Sequence, residues 1–305
     1  MTKEPFSFLG DWKPATDGER LLHFLVAEVA GFGAINSSAL VCLAGIPRSQ
    51  SFANFLHGVV VLHAFGRLIQ AAKAYRERHV DDEKASLSLI ALFLTDYMDI
   101  SHATCGRFEE LPALALDAAR ASSRNSHCVP RRTKQQVQDE SRDAFCCYSC
   151  GNPLDPTDRR KYIPEPQGSG SLIRNNLFTE YEHIWPHSFG GNTTVDNLAL
   201  SCQFCNEAKE NLTSWEWALV QSLLPTADIG QPTLDHKHTK RSVKMSLHMK
   251  AAMLYARKHG TTLKGAMQTI GPREKSVTVI DTDDTPDFFN LRVHDEVRTG
   301  IRWDA

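Results

Sequence analysis

The chain has 305 residues, 42% hydrophobic and 23% charged, with a formal net charge of −2. This composition excludes a collagen-like, low-complexity or wholly disordered chain, and the length suits two domains or one large one. A chain this close to neutral is no polycation, so any affinity for nucleic acid must come from local clusters of charge. The most apolar stretches, such as Val59–Phe65 and Leu87–Leu94, are interrupted by His, Ser, Thr or Asp within a dozen residues, so no membrane-spanning helix is expected. Met1-Thr-Lys-Glu-Pro5 lacks the basic and apolar regions of a signal peptide. Eight cysteines, four of them in CxxC pairs, with no export signal point to metal binding and a cytoplasmic protein.

Residues 1–15 read as an arm, and Asp17 to Ala121 read as helical. Leu21, Leu22, Phe24, Leu25 and Val29 recur at three and four residues, which predicts an apolar helix face. A second helix is predicted over Asn54–Arg78, and a third, capped by Asp81 or Asp82, ends near Tyr97. Residues 120–142 mix Arg120, Arg124, Arg131, Arg132 and Lys134 with Ser, Asn, Pro and Gln. They read as a basic linker or mobile segment. Pro164–Ser171 is predicted as an exposed loop. Thr213-x-x-Glu216 predicts a capped helix that Pro225 ends, and a further helix is predicted over Ser242–His259. Ser276–Ile280 is strand-like, and the chain then turns acidic at Asp281, Asp283, Asp284 and Asp287. The implied division is a helical region (1–125), a central module (126–212), a basic helical segment (213–275) and an acidic tail (276–305).

Cys147-x-x-Cys150 and Cys202-x-x-Cys205 are two thiolate pairs, each able to turn both sulfurs toward one ion. Four thiolates give a closed tetrahedral zinc site, structural because no position stays open for water. Cys146 is a neighbouring alternative, which the two-residue spacing disfavours. Cys42, Cys105 and Cys128 have no partner at ligand spacing and read as buried or free thiols.

Between the pairs runs Glu182-His183-Ile184-Trp185-Pro186-His187-Ser188-Phe189-Gly190-Gly191-Asn192, continuing through Asp196-Asn197-Leu198 to Cys202-x-x-Cys205-Asn206-x-x-Lys209. Over Cys147–Asn211 this order resembles the zinc-stapled HNH endonucleases. The resemblance implies a ββα-metal module that hydrolyses phosphodiesters with a divalent cation. His183 would be the general base, Glu182 and Asn206 would hold magnesium or manganese, Asn197 would hold the hairpin loop, and Lys209 would touch a phosphate. The chemistry suits the residues. Histidine is a competent base near neutral pH, and a carboxylate with an amide oxygen is a hard site suited to magnesium. Strand alternation places adjacent Glu182 and His183 on opposite sides; the resemblance implies an irregular strand that lets both serve one site.

Each residue also has a structural reading: a satisfied histidine at 183, a surface carboxylate at 182, a helix-end amide at 206, a turn histidine at 187. His57 and His63 read as core-edge histidines. His236–Lys275 holds ten basic residues, among them Lys237, Lys240, Arg241, Lys244 and Lys250, against the single acid Glu274. Such a field suits a phosphate backbone, although a solvated helix face is the common alternative. The acidic tail could shield it. The sequence thus reads as a mainly helical α+β protein with a central HNH module. Its expected function is DNA cleavage, with RNA left open and a restriction or antiviral defence role. The helical region would dock a partner such as an ATPase or sensor. The alternative is a non-catalytic zinc-stapled nucleic-acid-binding or adaptor module.

Overall fold

Helix α1 (Asp17–Glu28) begins at a reciprocal cap. Thr16 accepts from the Glu19 backbone, and the Glu19 carboxylate accepts from the Thr16 backbone, which satisfies two otherwise orphan donors. A computed structural model describes residues 12–29, 50–123, 128–141, 145–165, 171–209, 248–249 and 251–272, with residues 50–63 and 208 described by backbone alone. Three more helices follow: α2 (Gln50–Arg78), α3 (Glu83–Met98) and α4 (Leu111–Ala121). Asp82 caps α3 by accepting from the Ala85 backbone at 2.8 Å. The expected helix ends here fall within a few residues of those observed. Among the described residues of this half the only strand-like contact is the isolated bridge between Val29 and Cys105.

Residues 131–140 differ from expectation. They form helix α5 (Arg131–Glu140), entered from Pro130, whereas the sequence reads there as a linker. Val137 is its one buried residue, so no apolar period announces it. The helix is held by tertiary contacts: Val137 packs with Leu198 and Leu200, Gln138 donates to the Tyr181 hydroxyl, and Lys134 lies 5.3 Å from the Tyr181 ring centre. The expected loop at Pro164–Ser171 is rooted in a hairpin of β1 (Tyr162–Pro164) and β2 (Leu172–Arg174), in which Pro164 pairs with Leu172.

Strands β3 (Thr179–His183) and β4 (Leu198–Cys202) pair antiparallel in unbroken register, from Thr179 opposite Cys202 to His183 opposite Leu198. Helix α6 (Gln203–Lys209) follows β4 directly. Residues 251–259 are helical, and α7 (Leu263–Ile270) is capped by Thr262. The molecule is thus a mixture of helices and two small sheets. The predicted helix after Thr213, the Ser276–Ile280 strand and the acidic tail lie outside the described residues. No helix among those described is long and apolar enough to cross a membrane.

One apolar cluster joins α1–α4 to the hairpin. It includes Leu21, Leu25, Phe65, Leu94 and Leu116 together with Ile184, Trp185 and Ala199, and reaches Met253 and Met267. Trp185 is fully buried, with Trp12 at 6.1 Å and Phe65 at 6.2 Å between ring centres. Phe65 also stacks on Phe189 at 5.9 Å. These aromatic contacts anchor the loop between β3 and β4 on the helical layer.

Candidate functional site

At one end of the β3–β4 hairpin the four cysteines converge. The sulfurs of Cys147, Cys150, Cys202 and Cys205 all lie within 4.8 Å of one another. Sulfurs about 2.3 Å from one tetrahedral ion would be about 3.8 Å apart, and Cys150 Sγ lies 3.8 Å from Cys202 Sγ. The first pair sits on a turn closed by Gly151, at φ +76°, whose N–H donates to the Cys147 carbonyl at 2.8 Å. The Tyr148 N–H bonds the Leu200 carbonyl at 2.9 Å, tying that turn to β4. The neighbouring thiols of Cys150, Cys202 and Cys205 pull the Cys147 thiol down from its ordinary range. The same contacts push the Cys202 and Cys205 thiols up, with burial adding to the rise. A divalent ion would stabilise all four as thiolates. The donor set fits zinc. Cys146 lies outside this group, bridging Pro153 through its backbone.

The opposite end carries the acidic and histidine residues. Because β3 is regular through His183, Glu182 and His183 point to opposite sides; the irregular strand implied by the resemblance is absent. His183 is 7% exposed. Its Nε2 lies 3.0 Å from Thr193 Oγ1, and its ring centre is 5.5 Å from that of His187. Thr193 therefore sets the imidazole orientation.

Glu182 is buried on the α6 side and meets Lys209, whose Nζ donates to Glu182 Oε1 at 2.8 Å and to the His183 carbonyl at 2.7 Å. Burial pushes the Glu182 carboxyl up, with the Lys209 charge opposing it. Lys209 was expected at a phosphate, but here it is fully enclosed. Asn206, one helical turn earlier, donates its amide to Glu180, which also pairs with Lys161 at 3.2 Å. Glu180 and Glu182 share a strand face, and Asn206 and Lys209 share a helix face. The hairpin and α6 thus meet in two rungs, and Glu182 and Asn206 have different partners.

Asn197 clamps the connecting loop. Its Oδ1 accepts from the Trp185 N–H at 2.7 Å, and its amide donates to the Trp185 and Asn192 carbonyls at 3.0 Å each. Gly190, at φ +81°, and Gly191 give the loop its close approaches; a Cβ on Gly191 would stand 2.1 Å from the Trp185 carbonyl oxygen.

Residues 168–212 match the HNH endonuclease family model. The HNH segment therefore spans β2, β3, β4 and α6, and includes the second cysteine pair but not the first. The match gives this segment nuclease or nucleic-acid-binding function. No curated protein and no solved structure matches the chain.

Several contributors to the HNH segment escaped the sequence reading. Thr193 orients His183, Glu180 receives Asn206, and Asn192 exchanges two 2.7 Å bonds with Asp17 of α1. Alternation could have placed Glu180 beside Glu182. Nothing local signals Asp17, 175 residues away from its partner. Lys237, Lys240, Arg241, Lys244 and Lys250 lie outside the residues whose side chains are described. Of the same basic segment, Lys264 is turned inward, onto Glu140 and the Val195 carbonyl.

Proposed function

We propose that the protein is a metal-dependent endonuclease hydrolysing DNA phosphodiesters, with the hairpin and α6 forming a zinc-stapled ββα-metal module. The observation that carries this reading is His183 at the end of β3, beside Thr193 and within the segment that matches the HNH family. His183 takes the proton of the attacking water, and Thr193 fixes the ring for that transfer. Glu182 and Asn206 would hold magnesium or manganese. Their oxygens are hard donors, and the Glu182 carboxylate already attracts one cation. When bound, that ion would neutralise charge developing on the leaving 3′-oxygen, and the products would carry 5′-phosphate and 3′-hydroxyl ends.

Asn197 supports this chemistry from the loop, and the four cysteines hold α6 on the hairpin through zinc. The basic segment, through Lys237, Lys240, Arg241, Lys244 and Lys250, supplies phosphate contacts. The helical region (1–125) serves as the docking surface for a controlling partner, such as an ATPase or sensor, in cytoplasmic restriction or antiviral defence. The central module (126–212), basic segment (213–275) and acidic tail (276–305) complete this division.

Supercoiled plasmid and single-stranded RNA, incubated with zinc-loaded protein and magnesium or manganese, test the proposal. Plasmid cleavage that chelation abolishes, leaving 5′-phosphate ends, is the expected result. Tight binding of both substrates without cutting would favour the adaptor reading.

A further inference from the structure

Among the described residues of the HNH segment, Lys209 is the most enclosed charged side chain, with relative exposure of 0%. A buried ammonium is tolerated only where oxygens replace its water, and two oxygens do so here. Glu182 Oε1 and the His183 carbonyl converge on Nζ at 2.8 and 2.7 Å. These groups come from the two adjacent residues read as metal ligand and base. The neighbouring rung is also filled, since Glu180 takes the Asn206 amide and the Lys161 ammonium. The face between hairpin and α6 is therefore internally neutralised by the chain's own cations.

A divalent ion bound to the Glu182 carboxylate would stand only a few ångströms from Nζ. In a site this buried, two cations at that separation repel strongly. We propose that the Lys209 ammonium competes with a divalent ion for the Glu182 carboxylate, so that the ion binds by displacing it. Lys209 is then a positioning residue. It holds Glu182 and the end of β3 in place, and it sets how tightly the metal is held. The inference rests on the assignment of Glu182 as a metal ligand.

Manganese binding to full-length, zinc-loaded protein, followed by electron paramagnetic resonance, tests it without reference to cleavage. Lys209→Met removes the competing charge and keeps the bulk. It should bind manganese about tenfold more tightly than the parent, an ordinary coupling between two sites. Adding Glu182→Gln should remove the gain. Equal or weaker binding by Lys209→Met, with zinc content and near-ultraviolet dichroism retained, would overturn the proposal while leaving Glu182 a ligand. Absence of any Glu182-dependent manganese binding in both proteins would overturn the ligand assignment as well. Should Lys209→Met fail to fold, the unmodified protein labelled with ¹³C at the lysine ε-carbon decides. Its enclosed lysine, recognised by slowly exchanging ammonium protons, must shift as magnesium saturates the site. A signal that stays fixed at saturation would overturn the displacement.

Discussion

The two ends of the β3–β4 hairpin lie about 13 Å apart at 3.3 Å per residue, and they solve opposite problems. The cysteine end gathers four identical soft ligands into a closed cluster. The His183 end gathers different groups (imidazole, hydroxyl, carboxylate, ammonium), and each depends on a partner from another element. The first is suited to holding α6 against the hairpin, and on the proposed reading the second carries the chemistry. On that reading, rigidity and reactivity do not share a site. Their separation lets each be perturbed alone.

The largest effect should come from the cysteine end. Chelation of zinc, or Cys202→Ser, should release α6 and abolish cooperative unfolding, because structural zinc contributes on the order of 10 kcal/mol. One zinc per chain by elemental analysis, lost together with the melting transition, is the expected result. Asn197→Ala should come next. It leaves the Trp185 N–H and two carbonyls of the loop without their partner, and should cost about 3 kcal/mol in a urea titration. Zinc content should not change, which separates the loop from the staple.

Gly18→Ala tests the seat of the loop on α1. The added Cβ would stand 1.9 Å from the Phe189 carbonyl oxygen, and the bond from the Gly18 N–H to the Gly190 carbonyl, 2.9 Å long, would have to lengthen. A loss of about 2 kcal/mol is expected, readable as a lower melting temperature. The smallest effect concerns Glu19, buried under Trp12. Burial raises its carboxyl above the ordinary 4.5, against hydrogen bonds from Trp12 and Thr16. Above pH 4.5 the unfolded chain gives up this proton first, so the Glu19 contribution to stability falls as pH rises toward the folded value. Relative to the parent, Glu19→Gln should therefore fare better at the upper end of that window than at the lower, as read from urea titrations across it.

The same contrast explains what could be read from the sequence. The cysteine cluster was legible because residue type and two-residue spacing carry the whole chemistry. Helices α1 and α2 were legible because their apolar faces recur at helical period, as at Leu21, Leu22 and Leu25, and α3 because an aspartate caps it. Helix α5 was not, because Val137 alone is buried and its other contacts come from the hairpin. The environment of Lys209 was also illegible. A lysine three residues after Asn206 looks the same whether it faces a phosphate or Glu182, and only the docking of α6 on β3 decides. The Asp17–Asn192 exchange belongs to the same class, since it exists only once the helical region and the loop have met.

The most direct test of the division between holding and cutting pairs His183→Ala with the parent in plasmid cleavage with magnesium, zinc content being measured in both. The account predicts one zinc per chain and matching melting curves for the two proteins, with cleavage by the variant reduced about 10²- to 10⁴-fold, as for a lost general base. Cleavage by His183→Ala at the parental rate would contradict it.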